Sequence, residues 1–307
     1  MIENNFSIDS CEYSGDFNLK LTLMTGQTSQ VPWTRYDDAY YEVLCVDGCD
    51  ILVKIKQENV NNTLEVSYFS REYDVDDELV RQKLFYLFDL DYQMDDFYGF
   101  LDENPEISQI SQFNKGLRIF KAESPFECII SSISSANNSI KRWTKSMQQI
   151  RQNHGNYIEY ENRKYHKFPD ETTFLKIAEE DLKSYGVGYR SPYMINTTKQ
   201  ILEDDNFHNE IFNMTYPDAY KKLLQLPGVG PKVADCILLY GYDKPQAYPT
   251  DVWINRITTH IYFDDAKISN KKIMKFAQEK FGKYAGYVQL YLFNYARNSK
   301  LLDKLKK

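Results

Sequence analysis

The sequence has no long hydrophobic run. Hydrophobic residues make up 42% of the 307 positions and charged residues 26%, and no apolar stretch approaches the ~20 residues that a membrane-spanning helix needs. The first five residues carry a negative charge and lack the features of a signal sequence. These absences argue against a membrane protein and predict a cytoplasmic one.

Cysteines are few, odd in number and widely spaced, which argues against a disulfide framework. The five are Cys11, Cys45, Cys49, Cys128 and Cys236. Cys45 and Cys49 are close enough to be taken for metal ligands, but they flank Asp47-Gly48, a dipeptide typical of hairpin turns. We therefore predict that both are ordinary strand residues and that the chain holds no metal.

Positive charge is in deficit. The chain has 37 Lys and Arg against 44 Asp and Glu, a net charge of -7. This balance argues against a protein that coats nucleic acid nonspecifically, although it leaves room for a local basic groove. Any DNA affinity is expected to be modest and strongly salt-dependent, because it would rest on few phosphate contacts.

The hydrophobic pattern predicts an α+β protein. Apolar residues alternate in four segments, which we predict to be strands of an antiparallel sheet: residues 17–23, 40–46, 51–56 and 63–69. From about Asp76 the apolar spacing becomes helical. We place a domain boundary near residues 72–80, with a sheet domain at 1–78 and a helical domain at 79–307. The lysine-rich end of the chain is predicted to be a solvated helix end.

Residues 218–241 predict two helices joined by a tight hairpin. Pro227 has no amide hydrogen and should end the first helix, whereas Pro231 suits the first position of the second. Gly228 and Gly230 are predicted to supply positive φ angles and a bare backbone that a phosphate could approach. Such a hairpin grips a nucleic-acid backbone without reading its sequence. An ordinary turn between helices is the alternative.

Three chemically useful side chains accompany this hairpin. Lys232 falls at the second position of the second helix, where unpaired amides disfavour an ammonium and so favour a nucleophilic amine. Cys236 lies one turn further on the same face. Asp251 precedes an apolar run and is a plausible helix N-cap, which alone would explain it. It is also a carboxylate able to stabilise positive charge developing on a sugar.

The motifs Gly-Val-Gly-Pro-Lys-Val-Ala-Asp-Cys, at 228–236, and Asp-Lys-Pro-Gln-Ala-Tyr-Pro-Thr-Asp, at 243–251, resemble the helix-hairpin-helix (HhH-GPD) DNA glycosylases, and specifically their 8-oxoguanine branch. The resemblance extends, more weakly, over about residues 19–297. It implies a small antiparallel sheet domain before a two-part helical glycosylase domain, with the lesion pocket in the cleft between its parts. Some related glycosylases carry a C-terminal iron–sulfur cluster, which is excluded here because no cysteine follows Cys236.

The resemblance assigns four residues to the base pocket. It implies that Gln289 hydrogen-bonds the Watson–Crick edge of a flipped base and that Phe293 and Cys236 stack on its two faces. It also implies that the carbonyl of Gly26 accepts the N7 hydrogen that 8-oxoguanine has and guanine lacks. Taken alone, residues 284–293 suit a buried aromatic stripe and Gly26 an ordinary turn, so these alternatives stay open.

Two further segments match the family's contacts with the DNA opposite the lesion. Asn137 matches the residue that fills the gap left by the flipped base, and Arg142 matches an arginine facing the orphaned cytosine. Tyr189 matches the wedge at the estranged base, and Arg190 a second reader of cytosine. A capped helix break at residues 135–142 and a helix C-cap at 185–190 are the alternatives.

The implied activity is excision of 8-oxoguanine, preferably opposite cytosine, from duplex DNA. It would proceed by base flipping, attack of Lys232 on the sugar and β-elimination at the resulting abasic site, without metal or organic cofactor. We expect a monomer with no membrane association, and a nucleoid-associated one if the source is bacterial. A glycosylase or lyase for another oxidised or abasic site, or a noncatalytic DNA-binding module, are the competing hypotheses.

The sequence departs from animal members of the family at two linked positions. Those members have a histidine two residues after the catalytic aspartate and pair it with a later aspartate, where this chain has Trp253 and Ala296. Because both partners are replaced together, this wall of the pocket is expected to be built differently. Phosphate contact at Trp253 is in doubt for the same reason.

Overall fold

An antiparallel sheet and a larger set of helices make up the fold. The structure, a computed structural model, describes residues 2–71 and 75–299. Its main sheet has the strand order β1-β5-β4-β3-β2, with every neighbouring pair antiparallel. The strands are β1 Ile2–Ile8, β2 Thr34–Tyr36, β3 Ala39–Val46, β4 Cys49–Lys56 and β5 Leu64–Ser70, and a separate hairpin joins β6 Tyr157–Tyr160 to β7 Arg163–His166.

Three of the four predicted strands are confirmed, as β3, β4 and β5. The turn between β3 and β4 has positive φ at both Asp47 and Gly48, 50° and 76°, as a tight two-residue hairpin requires. Cys45 pairs with Asp50, and Cys49 pairs with Val46 across that turn. The prediction that both cysteines are strand residues is therefore confirmed.

The strand predicted at residues 17–23 is wrong. The segment instead forms a short helix, α1 Leu19–Met24, whose N-cap Asn18 accepts a hydrogen bond from the Leu21 amide at 2.9 Å. The buried positions, Leu19, Thr22 and Leu23, lie three and four residues apart, as on one face of a helix. In a segment of only six residues, an alternating pattern and a helical pattern place apolar residues at many of the same positions. The capping hydrogen bond of Asn18 belongs to the helical alternative.

Helices account for most of the remaining chain, as the change of period predicted. The next seven are α2 Asp77–Leu87, α3 Met94–Asp102, α4 Gln109–Phe113, α5 Pro125–Ser135, α6 Ile140–His154, α7 Glu171–Phe174 and α8 Glu179–Ser184. The last seven are α9 Ser191–Leu202, α10 Phe207–Asn213, α11 Tyr216–Leu223, α12 Pro231–Gly241, α13 Val252–Tyr262, α14 Asn270–Phe281 and α15 Ala285–Asn298. None of these described helices is long and apolar enough to cross a bilayer. The predicted lysine-rich helix end lies outside the described residues.

A buried ionic network joins the sheet to the helices. Arg151 of α6 contacts both carboxylate oxygens of Glu42 in β3, at 2.8 and 2.9 Å, and both of Glu127 in α5, at 3.0 and 2.8 Å. All three side chains are buried. Removing one partner of such a network leaves a buried charge uncompensated, which makes the junction specific. The domain boundary near residues 72–80 stays a prediction.

Candidate active site

The helix-hairpin-helix forms where the sequence predicted it. Helix α11 ends at Leu223, three residues before its predicted end, and α12 begins at Pro231. Between them Gly228 has a φ of 79°, and a Cβ there would lie 2.8 Å from the Cβ of Tyr193. Gly228 is thus required both for its backbone conformation and for the close approach of α9.

The positive φ predicted for Gly230 is wrong. Gly230 is the N-cap of α12, with φ -92° and ψ 179°, a conformation open to any residue. No atom lies within 4 Å of where its Cβ would be. The tight turn therefore needs only one left-handed glycine, and what Gly230 contributes is a backbone open to solvent at the start of α12.

Lys232 lies in the first turn of α12. Its Nζ donates a hydrogen bond to Ser135 Oγ at 3.2 Å, and Ser135 in turn donates to the Ser132 carbonyl at 2.8 Å. The end of α5 therefore orients the lysine. Cys236 lies one turn further along α12 and is buried. Burial raises the pKa of its thiol, so Cys236 offers a neutral, polarisable surface.

Asp251 is the N-cap of α13, as predicted. Its Oδ1 accepts hydrogen bonds from the amides of Trp253, at 2.9 Å, and Ile254, at 2.8 Å. Oδ2 takes part in neither of these capping bonds. The carboxylate is thus oriented by one oxygen, while the other is free to face a developing charge.

Lys232 and Asp251 line a single cavity of about 110 Å³. Six of the predicted site residues surround it: Gly26, Lys232, Cys236, Asp251, Gln289 and Phe293. The other lining residues include several that the sequence did not single out: Thr28, Ser135, Asn138, Ser139, Ile140, Trp143, Tyr240 and Pro249. Ser135 stands in a run of similar serines, so only the fold distinguishes it.

Gln289 lines this cavity and has an unused acceptor. Its Nε2 donates to the Pro249 carbonyl at 3.1 Å, whereas its buried Oε1 has no hydrogen-bond partner. A buried amide oxygen without a partner is costly in an apolar core. The arrangement therefore suits a ligand that donates hydrogen bonds to Oε1.

Gly26 forms another part of the wall. Its φ is 84°, and a Cβ there would lie 2.5 Å from Ile140 Cδ1. Ile140 therefore packs directly against the bare backbone of Gly26. The cavity is small beside ligand pockets of about 300–1,000 Å³, and Ile140 is the side chain that limits it at this wall.

The four residues predicted to contact the opposite base lie outside the cavity lining, in two segments that meet. Asn137 is exposed with a φ of 51°, and Tyr189 is 59% exposed. Arg142 is exposed, and its side chain has no hydrogen bond or ion pair in the part of the chain that the structure describes. These three are accessible to DNA.

Arg190 is the exception, because its guanidinium is buried and serves the protein backbone. Nε and Nη2 donate to the Ala136 carbonyl, Nη2 also to Asn137 O at 3.1 Å, and Nη1 to Val187 O at 3.1 Å. These four bonds use four of the five N–H groups of the guanidinium, so one N–H, on Nη1, is left for another acceptor. Arg190 therefore fixes the left-handed turn that presents Asn137.

The two departures from the animal pattern, Trp253 and Ala296, lie outside the cavity lining. Trp253 carries the guanidinium of Arg256 5.0 Å from its ring centroid, and Ala296 is buried on α15. The ring at the position of the family's histidine is thus paired with a cation. Across the described residues, no group of three or more His, Cys, Asp or Glu side chains is arranged to hold a metal ion.

Two family models match consecutive parts of the chain. The model for the N-terminal domain of 8-oxoguanine DNA glycosylase matches residues 11–129, and that for HhH-GPD superfamily base excision DNA repair proteins matches residues 130–283. The second match contains the hairpin, Lys232 and Asp251, and defines a DNA glycosylase of the HhH-GPD superfamily. With the first match, the chain belongs to the 8-oxoguanine DNA glycosylase branch of that superfamily, whose enzymes are DNA N-glycosylases and abasic-site lyases.

Individual relatives agree. The "Probable N-glycosylase/DNA lyase" of Methanothermobacter thermautotrophicus is 42% identical over 312 residues, covering 95% of this chain and 97% of that protein. The N-glycosylase/DNA lyase of Saccharomyces cerevisiae is 33% identical over 216 residues, 59% of this chain and 57% of its own. A solved Clostridium acetobutylicum 8-oxoguanine glycosylase/lyase, bound to duplex DNA with cytosine opposite 8-oxoguanine, superposes with a TM-score of 0.82 at 26% identity, covering 98% and 99% of the two chains.

Proposed function

We propose that this enzyme excises 8-oxoguanine from duplex DNA, preferring cytosine opposite, through a covalent intermediate on Lys232. The observation that carries the proposal is that Lys232, Asp251 and Gln289, whose buried Oε1 has no partner, line one cavity. A nucleophile, a carboxylate and an acceptor for a base edge are the groups that a bifunctional glycosylase needs.

The base would enter between Phe293 and Cys236, with its N1 and N2 hydrogens donated to Gln289 Oε1. Its N7 hydrogen would be donated to the carbonyl of Gly26, and guanine, which has an acceptor at N7, would face that carbonyl unfavourably. Because Ile140 packs against Gly26, it must turn away as the purine enters. This movement would enlarge the cavity at the Gly26 wall.

In the chemical step the amine of Lys232 attacks C1′ of the sugar. The Nζ–C1′ bond forms as the glycosidic bond breaks, and the base leaves with the electron pair and takes up a proton that the newly bonded Nζ releases. Asp251 Oδ2 stabilises the positive charge that develops on the sugar. Opening of the sugar ring gives a Schiff base on Lys232, loss of the C2′ proton follows, and the 3′ phosphate leaves by β-elimination.

Opposite-base preference is assigned to the exposed segment outside the cavity. Cytosine presents two adjacent acceptors, O2 and N3, which suit the fork of Arg142 and the remaining N–H of Arg190. Asn137 would fill the gap left by the flipped base, and Tyr189 would wedge between base pairs. The open backbone at Gly228 and Gly230 would approach a phosphate.

Excision from duplexes that carry 8-oxoguanine opposite each of the four bases tests this proposal. Cytosine should give the highest single-turnover rate, and an oxidised pyrimidine in the same duplex should be a poor substrate. Arg142→Met should reduce the preference for cytosine by about tenfold, a typical loss for one bidentate base contact. Lys141→Met, which removes the neighbouring exposed cation, is the matched control. Equal rates opposite all four bases would contradict the proposed recognition.

A further inference from the structure

Arg297, in the last turn of α15, connects two walls of the cavity. Its guanidinium carbon lies 5.2 Å from the ring centroid of Phe293, one turn earlier on the same helix. Its Nη1 donates a hydrogen bond to the Thr25 carbonyl at 2.8 Å. Thr25 immediately precedes Gly26, so one side chain contacts both the Phe293 wall and the Gly26 wall.

The other hydrogen bonds of this loop lead elsewhere. Gln27 Nε2 donates to the Arg118 carbonyl at 3.0 Å, and its Oε1 accepts from the Phe120 amide at 2.8 Å. Thr28 Oγ1 lies 3.1 Å from Ser132 Oγ on α5. Among the described residues, the bond from Arg297 is the hydrogen bond that connects residues 25–28 with α15.

Gly26 itself has no side chain to hold its position. Its backbone is left-handed, with a φ of 84°, and lies against Ile140. The orientation of its carbonyl therefore depends on its neighbours, and Arg297 fixes the peptide group on its N-terminal side. On the C-terminal side, Gln27 has the same effect.

The contacts of Arg297 require an arginine. No carboxylate lies within 4.0 Å of its guanidinium in the described part of the chain, so it is not held by an ion pair. A planar guanidinium can face an aromatic ring while one of its edges donates to a carbonyl, whereas an ammonium cannot do both equally well.

We propose that Arg297 is a positioning residue for lesion recognition. By holding the Gly26 peptide at a fixed distance from the Phe293 ring, it sets the width of the slot in which the base is inspected. The distinction between 8-oxoguanine and guanine then depends on Arg297, although Arg297 does not touch the sugar or the nucleophile. This inference rests on the proposed function.

Comparison of two reactions tests it. Excision of 8-oxoguanine needs both the base slot and Lys232, whereas cleavage of a preformed abasic site needs Lys232 but not the base slot. In single-turnover assays Arg297→Met should slow 8-oxoguanine excision opposite cytosine by about tenfold or more. The ratio of the excision rate for 8-oxoguanine to that for guanine should fall, while the rate of abasic-site cleavage stays within about twofold of the wild-type rate. Arg163→Met is the matched control, since Arg163 lies 4.0 Å from the Tyr36 ring in the sheet domain.

Each outcome bears on the inference. Unchanged 8-oxoguanine excision in Arg297→Met would overturn it, and equal losses on both substrates would assign Arg297 to a phosphate contact instead. If thermal unfolding shows that Arg297→Met is not folded, Arg297→Lys, which keeps the charge, takes its place. It must then show the same selective loss of 8-oxoguanine excision, to a smaller extent. If the wild-type protein cleaves abasic sites but spares 8-oxoguanine, the proposed function fails first and this inference fails with it.

Discussion

Asp251 combines a structural role with the chemical role proposed for it. Oδ1 caps α13 by accepting two amide hydrogen bonds, and Oδ2 takes no part in the cap. The sequence supported both interpretations of this residue, as a cap and as a catalytic carboxylate. The structure shows that they are compatible, because each uses a different oxygen.

Substitution of Asp251 by asparagine should separate the two roles. Asparagine caps helices about as well as aspartate, so the free energy of unfolding should change by less than ~0.5 kcal/mol, whereas Asp251→Ala should cost ~1 kcal/mol. Loss of the negative charge should slow excision by about a hundredfold or more. Urea unfolding and single-turnover excision measure the two effects. An asparagine variant that is destabilised yet fully active would contradict the assignment.

Asp235 is a buried carboxyl on the helix that carries Lys232. Its Oδ1 accepts a hydrogen bond from Tyr216 Oη at 2.7 Å, and Oδ2 has no partner. Burial raises the pKa of this carboxyl to about 7. Because the unfolded chain titrates near ~3.9, the folded state binds the proton more tightly. Its contribution to stability is therefore full below about pH 4 and is lost as pH rises to about 7.

Asp235→Asn should remove this pH dependence. In urea unfolding between pH 5 and pH 8, the stability of the wild type relative to the variant should fall with rising pH, by on the order of 2 kcal/mol. The subtraction cancels the other titrating groups that the two proteins share. A constant difference across this range would show that Asp235 is ionised throughout.

At the scale of elements, the strongly patterned segments were predictable and the short or polar ones were not. The hairpin between β3 and β4 carries its own turn residues, and α11 and α12 each have a proline in the first turn. In contrast, β1 is built from Ile2–Ile8, a largely exposed strand whose place depends on pairing with β5. The turn between β6 and β7 uses Glu161 and Asn162, both with positive φ, in place of a glycine.

The site shows the same division. The proposed catalytic pair lies in a local motif, so the approach of Lys232 and Asp251 to one cavity could be predicted from spacing. Ser135, Ile140 and Arg297 contact the site only through the tertiary fold, and nothing in their local sequence distinguishes them from neighbouring residues. The burial of Arg190 was likewise unpredictable, because two of its three acceptor carbonyls, those of Ala136 and Asn137, are about fifty residues away.

The two hairpin glycines should respond differently to substitution. Gly228→Ala forces a side chain into left-handed backbone and against Tyr193, and should destabilise the protein by about 1–3 kcal/mol. Gly230→Ser places a good N-cap in open space, so it should leave stability unchanged or raise it. If the backbone there meets a phosphate, Gly230→Ser should weaken binding to all duplexes by about five- to tenfold. Unfolding measures the effects on stability, and fluorescence-anisotropy titrations measure the effect on DNA binding. Wild-type affinity in Gly230→Ser would contradict the proposed phosphate contact.

For the whole molecule, the site exists only when distant parts of the chain meet. Gly26 follows α1, Lys232 lies on α12, and Gln289 and Phe293 lie on α15. Arg151 helps to hold the sheet against the helices by joining Glu42 to Glu127. With a net charge of -7, the molecule has little general attraction for DNA, and recognition must come from this assembled cleft.

Borohydride trapping on a duplex with 8-oxoguanine opposite cytosine tests the central claim most directly. The wild-type protein should give a covalent protein–DNA adduct whose attachment maps to Lys232, because reduction fixes the Schiff base. Lys232→Gln should bind the same duplex, as measured by anisotropy, and give no adduct. An adduct that persists in Lys232→Gln, or that maps to another amine in the wild type, would contradict the account.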